Sequence, residues 1–190
     1  MNWKNITLNQ FSKLVLAENN LDIIAAISGE DPKDFNLAEL NSWLDKIKFL
    51  DTAYKPSSPK KEYIINGVSY APVIDMRKIL VNQFVDFQEF IKQPEKNIAN
   101  IAAIIFIRKN LKYGDKDPLE EAIFLGKYLS IADYKDVFNF FCKAWEKYIT
   151  STQASLERIL KKSLRKTKDK VQRITLLRGL IVIHLLGLNT

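Results

Sequence analysis

Cations are the residues of this chain most able to do chemistry. Between Leu156 and Arg178 lie Arg158, Lys161, Lys162, Arg165, Lys166, Lys168, Lys170, Arg173 and Arg178, opposed only by Glu157 and Asp169. The segment carries +7, equal to the net charge of all 190 residues, so the rest of the chain is close to neutral. A pI near 9.3 therefore describes a balanced body with a cationic arm. Such an arm attracts phosphates or carboxylates, and its grip on nucleic acid would weaken as salt rises. On a helix these cations would surround much of the circumference, whereas a groove-reading helix concentrates contacts on one face. No helix-turn-helix pattern precedes the arm, and no aromatic residue occurs from Ser151 to Thr190 to stack on bases. A solvated or acid-paired helix is the simpler reading.

Other reactive groups are few. His184, the one histidine, lies in an apolar stretch remote from any obvious nucleophile and reads as a helix histidine. Cys142 sits within Phe140-Phe141-Cys142-Lys143-Ala144-Trp145, where a thiol behaves as a small hydrophobe. Being the one cysteine, it excludes an intrachain disulfide framework and a multi-cysteine metal site. Asp115, Asp117, Glu120 and Glu121 form the densest acidic cluster, but the glycine and distal glutamate of a calcium loop are missing and helix capping accounts for all four. Glycine-rich phosphate loops are absent. The expectation is a non-enzymatic protein with no catalytic residue, no metal and no cofactor. An enzyme using the acidic turn is the remote rival.

Beyond the arm, Ile174 to Leu188 is almost unbroken hydrophobicity. At fifteen residues, interrupted by Arg178 and His184, it falls short of the ~20 needed to span a bilayer, as does Ile98 to Ile107. No membrane association is expected. A helix apolar on all sides must be buried, within its own domain or against a neighbour. The first residues lack the apolar core of a secretory signal, so the Asn5-Ile6-Thr7 sequon is read as chance.

The elements that position these groups follow from pattern. Thr7 caps a helix from Leu8 to about Asn19, and a short apolar piece follows at Leu21 to Ile27. Asn36 caps a helix from Leu37 to Leu50, whose stripe of Leu37, Leu40, Trp43, Leu44, Ile47 and Leu50 gives it a wide apolar face. Thr52 to Lys61, with two prolines, two serines and three lysines, reads as a linker. Asn66-Gly67 between β-favouring runs predicts a hairpin with strands at about 62–65 and 68–74. Helix resumes near Leu80 and stops at Pro94. Ile98 to Asn110 is expected to be a central buried helix, and Asp117-Pro118 opens another to about Leu129. From Asp133 an apolar stripe through Val137, Phe141, Ala144, Trp145, Tyr148, Thr152, Leu156, Ile159 and Ser163 predicts a long helix reaching as far as Val171, with its weakest point at Thr150-Ser151-Thr152. A final helix covers roughly 173–187. Ile6-Thr7-Leu8-Asn9-Gln10-Phe11 echoes Ile79-Leu80-Val81-Asn82-Gln83-Phe84, which is read as shared helix-start chemistry. The expected organisation is mainly α: a helical body with one small antiparallel β-hairpin over 1–150, and a basic helical arm with an apolar terminal helix over 151–190.

The middle of the chain resembles a recurring pattern in small proteins of tailed bacteriophages. Tyr63-Ile64-Ile65-Asn66-Gly67-Val68-Ser69-Tyr70 matches an "I-x-I-N-G-x-x-Y" hairpin. Ile74-Asp75-Met76 follows, and Val81-Asn82-Gln83-Phe84-Val85-Asp86-Phe87-Gln88 is similar to a "T-x-x-Q-F-x-D-x-Q" helix. Ile101 to Ile107 and Lys112-Tyr113-Gly114-Asp115 resemble the apolar helix and "K-Y-G-D" turn that end it. The likeness spans about residues 62–130 and the Gln-Phe helix near residue 10, and departs at Val81, where such helices often begin with Thr or Ser. It implies a tail-assembly-chaperone-like, virion assembly or connector component, with no catalytic residues to inherit.

Together these readings give a phage assembly or virion structural protein, found in the virion or the host cytoplasm, whose partners are other phage structural proteins and copies of itself. Arg165, Lys166, Arg173, Leu177, Leu180, Ile181 and Leu185 are the expected contact residues, with possible DNA contact through the basic segment. The alternative is a nucleic-acid-binding regulator.

Overall fold

A computed structural model describes residues 1–166 of the chain. Contacts divide the chain after Phe141 into two units, and the last described helix, Ile131–Lys166, begins in the first and ends in the second. Among the described residues there are seven α-helices and one three-stranded antiparallel sheet, so the mainly helical expectation stands.

The first unit opens with α1 (Leu8–Val15), α2 (Asn20–Ser28) and α3 (Leu37–Ile47). The Thr7 hydroxyl accepts from the Gln10 N–H at 3.3 Å, and Gln10 Oε1 accepts from the Thr7 N–H at 2.9 Å. That reciprocal box satisfies two donors which a helix start otherwise leaves unpaired. α1 stops four residues before Asn19, because the Asn19 side chain accepts from the N–H groups of Leu21 and Asp22 and starts α2. Gly29, at φ +79°, closes α2 in a conformation that favours glycine. Asn36 and Glu39 form a second reciprocal box on α3, at 2.9 Å each way. The expected core face of α3 is only partly realised. Ile47 is buried, Leu40, Trp43 and Leu44 are half-buried, and Leu37 remains 74% exposed.

The hairpin is present as β1 (Tyr63–Ile65) and β2 (Val68–Pro72), turning at Asn66 and Gly67 with φ of 45° and 78°. Tyr63 pairs with Tyr70 and Ile65 with Val68. The sheet has one more strand than the expected hairpin: β3 (Phe106–Arg108) pairs antiparallel with the other edge of β2, Pro72 opposite Phe106 and Tyr70 opposite Arg108. The helix expected over Ile98 to Asn110 is therefore α5 (Ile98–Ile105), ending where the chain extends into β3. An unpaired edge on β2 would leave peptide groups unsatisfied, and Phe106-Ile107 suits a pleated surface better than another helical turn. Flanking bonds lengthen the join, from Val73 N–H to the Ile105 carbonyl at 2.8 Å and from Lys109 N–H to Ser69 at 2.9 Å.

α5 is the centre of the unit, with Ile101, Ala102, Ile104 and Ile105 fully buried. It packs against α4 (Val81–Phe90) and α6 (Pro118–Tyr128). The Asp117 carboxylate caps α6 through the Leu119 N–H at 2.9 Å, with Pro118 at its first position. Ser130, bonded to the Asp133 N–H at 3.1 Å, starts α7 (Ile131–Lys166) two residues before the expected Asp133. Leu8 N–H bonds to Leu129 and Ile131 N–H to Ile6, joining the first residues to the α6–α7 corner. The segment 52–61 has no helix or strand, but it is fastened to this unit. Tyr54 and Ser57 donate three bonds of 2.6–2.7 Å to the buried Asp136 carboxylate, and Lys60 reaches Asp133 at 3.0 Å. A buried carboxylate is tolerable when so many donors replace its water.

The second unit is described from Cys142 to Lys166, all of it α7. Helix continues without a break through Thr150-Ser151-Thr152, where the hydroxyls of Thr150, Ser151 and Ser155 bond back to carbonyls of the preceding turn at 2.9 Å. The terminal helix expected over 173–187 lies outside the described residues. Among the described residues no helix is long and apolar enough to cross a membrane.

Candidate functional site

Among the described residues, a groove in the first unit and the distal part of α7 each offer a surface to a partner. The groove is open, about 420 Å³ in volume, and lies where the end of β2, the start of α4 and the loop after β3 meet. Val73, Ile74, Leu80, Ile107 and Leu111 make its apolar lining, while Lys78 and Lys112 are exposed. Each wall is held by a specific bond. The buried Gln83 amide donates to the Ile104 carbonyl at 2.7 Å, fixing the start of α4 to the end of α5. Tyr113 donates to Asp86 at 2.8 Å, and burial followed by that hydrogen bond raises its phenol above the ordinary value. Asp75 is held down at about 2 by hydrogen bonds from Arg77, so it stays charged beside the groove. Such a lining would take an apolar side chain or short peptide segment; it gathers no nucleophile with a base.

The acidic turn distributes its carboxylates among separate structural tasks. Asp115 accepts from the Lys112 N–H at 2.7 Å, next to Gly114 at φ +91°, and Asp117 caps α6. Glu121 is enclosed by Arg108, at 2.7 and 3.0 Å through two nitrogens, and by Tyr70 at 2.8 Å. That bidentate pair ties β3 to α6. Tyr70 is fully buried, and burial, then its bond to Glu121, raises its phenol. Among the described residues no three His, Cys, Asp or Glu side chains gather as a metal site. Cys142 is half-buried, and burial pushes its thiol up to about 11, well away from a nucleophilic thiolate at neutral pH.

Along α7 the apolar stripe is progressively uncovered. Val137 and Phe141 are fully buried in the first unit. In the second unit Ala144, Trp145, Tyr148 and Thr152 are half-buried, Leu156 is 44% exposed and Ile159 60% exposed. Arg158, Lys161 and Lys162 are all exposed in the same turns. Their spacing of three and four residues puts these three on one helix face; the other cations of the arm have no described side chain. Of the expected contact residues, Arg165 and Lys166 fall in the last turn of α7, with side chains outside the described set. Arg173, Leu177, Leu180, Ile181 and Leu185 lie outside the described residues, as does His184.

The groove was missed by sequence reasoning, because its lining comes from three separated stretches that only β3 pairing brings together. One further feature was legible and overlooked. From Glu18 to Asp45 there are seven carboxylates against Lys33 alone, a net charge of −6. The near-neutral body is thus itself divided in charge. Set beside known proteins, the chain matches no family model, no curated protein and no solved structure.

Proposed function

We propose that this chain is a non-enzymatic assembly or structural component of a tailed bacteriophage, related to tail-assembly-chaperone-like or connector proteins. It acts through protein–protein contacts in the virion or the host cytoplasm. The observation that carries this reading is the distal stripe of α7, where Leu156 and Ile159 stand uncovered among exposed cations. Apolar side chains on an amphipathic helix stabilise by about 1.5–3 kcal/mol each when fully buried, so an uncovered stripe favours a partner. The apolar stretch Ile174 to Leu188 extends the same tendency in sequence.

The test is mass in solution by light scattering, for the full chain and for a chain lacking residues 173–190. The expected result is an oligomer for the full chain, loss of assembly on truncation, and a largely unchanged helical spectrum. A full chain that is monomeric at every concentration and captures no co-expressed virion protein would overturn the reading.

A second reading, a nucleic-acid-binding regulator, draws on the common helix face of Arg158, Lys161 and Lys162. It requires duplex DNA binding that weakens steeply with salt, and a gel shift empty at ~50 mM salt would end it.

A further inference from the structure

We infer that the chain assembles head to tail, the distal α7 of one copy seating on the open end of α3 in the next. This rests on the assembly reading and names the surface that receives the arm.

Among the described residues several helices leave apolar side chains uncovered, α4 at Val81 and Val85 and α6 at Leu119 and Ile123 included, but on α3 and α7 the uncovered stripe lies in a segment of strong net charge. On α3, burial at Ile47 fades through Trp43 and Leu40 to Leu37, which is 74% exposed. On α7, the stripe in the second unit ends in Leu156 and Ile159, 44% and 60% exposed. The surroundings of the two are opposite in charge. The Leu37 end of α3 follows directly on exposed Glu30, Asp31 and Asp34, within the segment of charge −6. Leu156 and Ile159 lie beside Arg158 and Lys162, within the segment of charge +7.

Among the described residues the acids of this segment find little compensation. Asp45 pairs with Lys48 at the far end of α3, both well exposed, while Asp31 and Glu39 bond to neighbouring N–H groups. Among the described residues Glu30 and Asp34 carry no side-chain hydrogen bond or ion pair. Such a face is complementary to the arm in both its apolar and its charged parts. Two different patches on one chain, each fitting the other, make a heterologous contact, which closes into a ring or runs on as a filament. Charge complementarity sets register and suppresses the like-with-like pairings of α3 on α3 or arm on arm.

The experiment uses full-length protein and two charge reversals at exposed positions. One variant carries Arg158→Glu and Lys162→Glu; the other carries Glu30→Lys and Asp34→Lys. Self-association is measured by sedimentation over a concentration series, with circular dichroism as the folding control. Each variant alone should associate on the order of tenfold more weakly or worse, and an equimolar mixture of the two should restore assembly. Restoration is the decisive result, because only in the mixture do the reversed positions of one variant face charges of opposite sign at the reversed positions of the other. Leu37→Ser should also weaken association while leaving unchanged the melting temperature of the dilute, dissociated protein, because an exposed leucine contributes little to the monomer.

If truncation of residues 173–190 abolishes assembly but the Glu30/Asp34 variant assembles normally, the assembly reading survives and the α3 site is wrong. Both variants weakened, with no restoration on mixing, would also overturn the site. A monomer whose compactness changes with salt but not with concentration would mean that the arm folds back on its own chain, and that too overturns it.

Discussion

The first unit contains the same helix-pairing device twice, in α1–α2 and in α4–α5. Each pair begins with Asn-Gln-Phe in the first turn of its leading helix. In both, the glutamine oxygen folds back onto the N–H preceding the helix, at 2.9 Å for Gln10 on Thr7 and 3.2 Å for Gln83 on Leu80. In both, the glutamine amide then donates at 2.7 Å to a carbonyl in the final turn of the following helix, Ile27 or Ile104. One side chain thus caps a helix and clasps its neighbour. The two pairs differ in everything around that clasp. Gln83 is buried and Gln10 half-buried; Thr7 adds a hydroxyl cap, whereas Leu80 cannot; α2 closes at Gly29, but α5 runs on into β3. The same glutamine clasp therefore serves one peripheral pair, which leads into the acidic segment and α3, and one central pair, which supports the sheet and the groove.

The comparison can be broken most severely at Gln83. Gln83→Ala should cost about 1–3 kcal/mol, because the Ile104 carbonyl loses its partner in the interior. The readout is the chemical-denaturation midpoint, and a loss as small as that at an exposed position would refute the buried-clasp account. Gln10→Ala, at the half-buried copy, should cost less, near ~1 kcal/mol.

A pH series separates the pairs further. Tyr113, bonded to Asp86 on α4, ionises less readily in the folded chain than unfolded, as do Tyr54 and Tyr70. The unfolded state then releases protons that the folded state retains, so stability present below about pH 10 is lost as pH climbs above it. Melting temperatures from neutral to strongly alkaline pH should show this fall, and Tyr113→Phe should make it shallower. The smallest effect expected is a gain. Leu80→Thr would offer the Gln83 N–H a hydroxyl in place of the Asn82 side-chain oxygen, which accepts from it at 2.9 Å, so the gain should be no more than about 0.5 kcal/mol. An unchanged or lowered melting temperature would show that Leu80 contributes more as an apolar groove residue than a cap would return.

Much of this architecture could be read from residues alone where a single local interaction decides. The Thr7, Asn36 and Asp117 helix starts and the Asn66-Gly67 turn all fall where expected, since each depends on a donor, an acceptor or a positive φ within a few positions. The echo between Gln10 and Gln83 was visible as well, but as helix-start chemistry only; its reach to a carbonyl 17 or 21 residues away was not. Misreadings concentrate where distance in sequence matters. Phe106-Ile107-Arg108 looks helical by continuation from α5 and becomes strand because β2 offers an edge. Thr52 to Lys61 looks like a free linker until Asp136, some 80 residues later, supplies the acceptor that holds Tyr54 and Ser57.

Residue order alone determined the division of charge, a cationic arm at +7 and an acidic α2–α3 region at −6, because formal charge needs no neighbours to exist. It also determined which stretches coil and which turn, through caps, glycines and prolines acting over one helical turn. Tertiary structure decided which apolar stripes are covered. Burial depends on what lies across the gap, and periodicity that looks equally core-like in α3, α5 and α7 ends with α5 enclosed while Leu37 and Ile159 face outward.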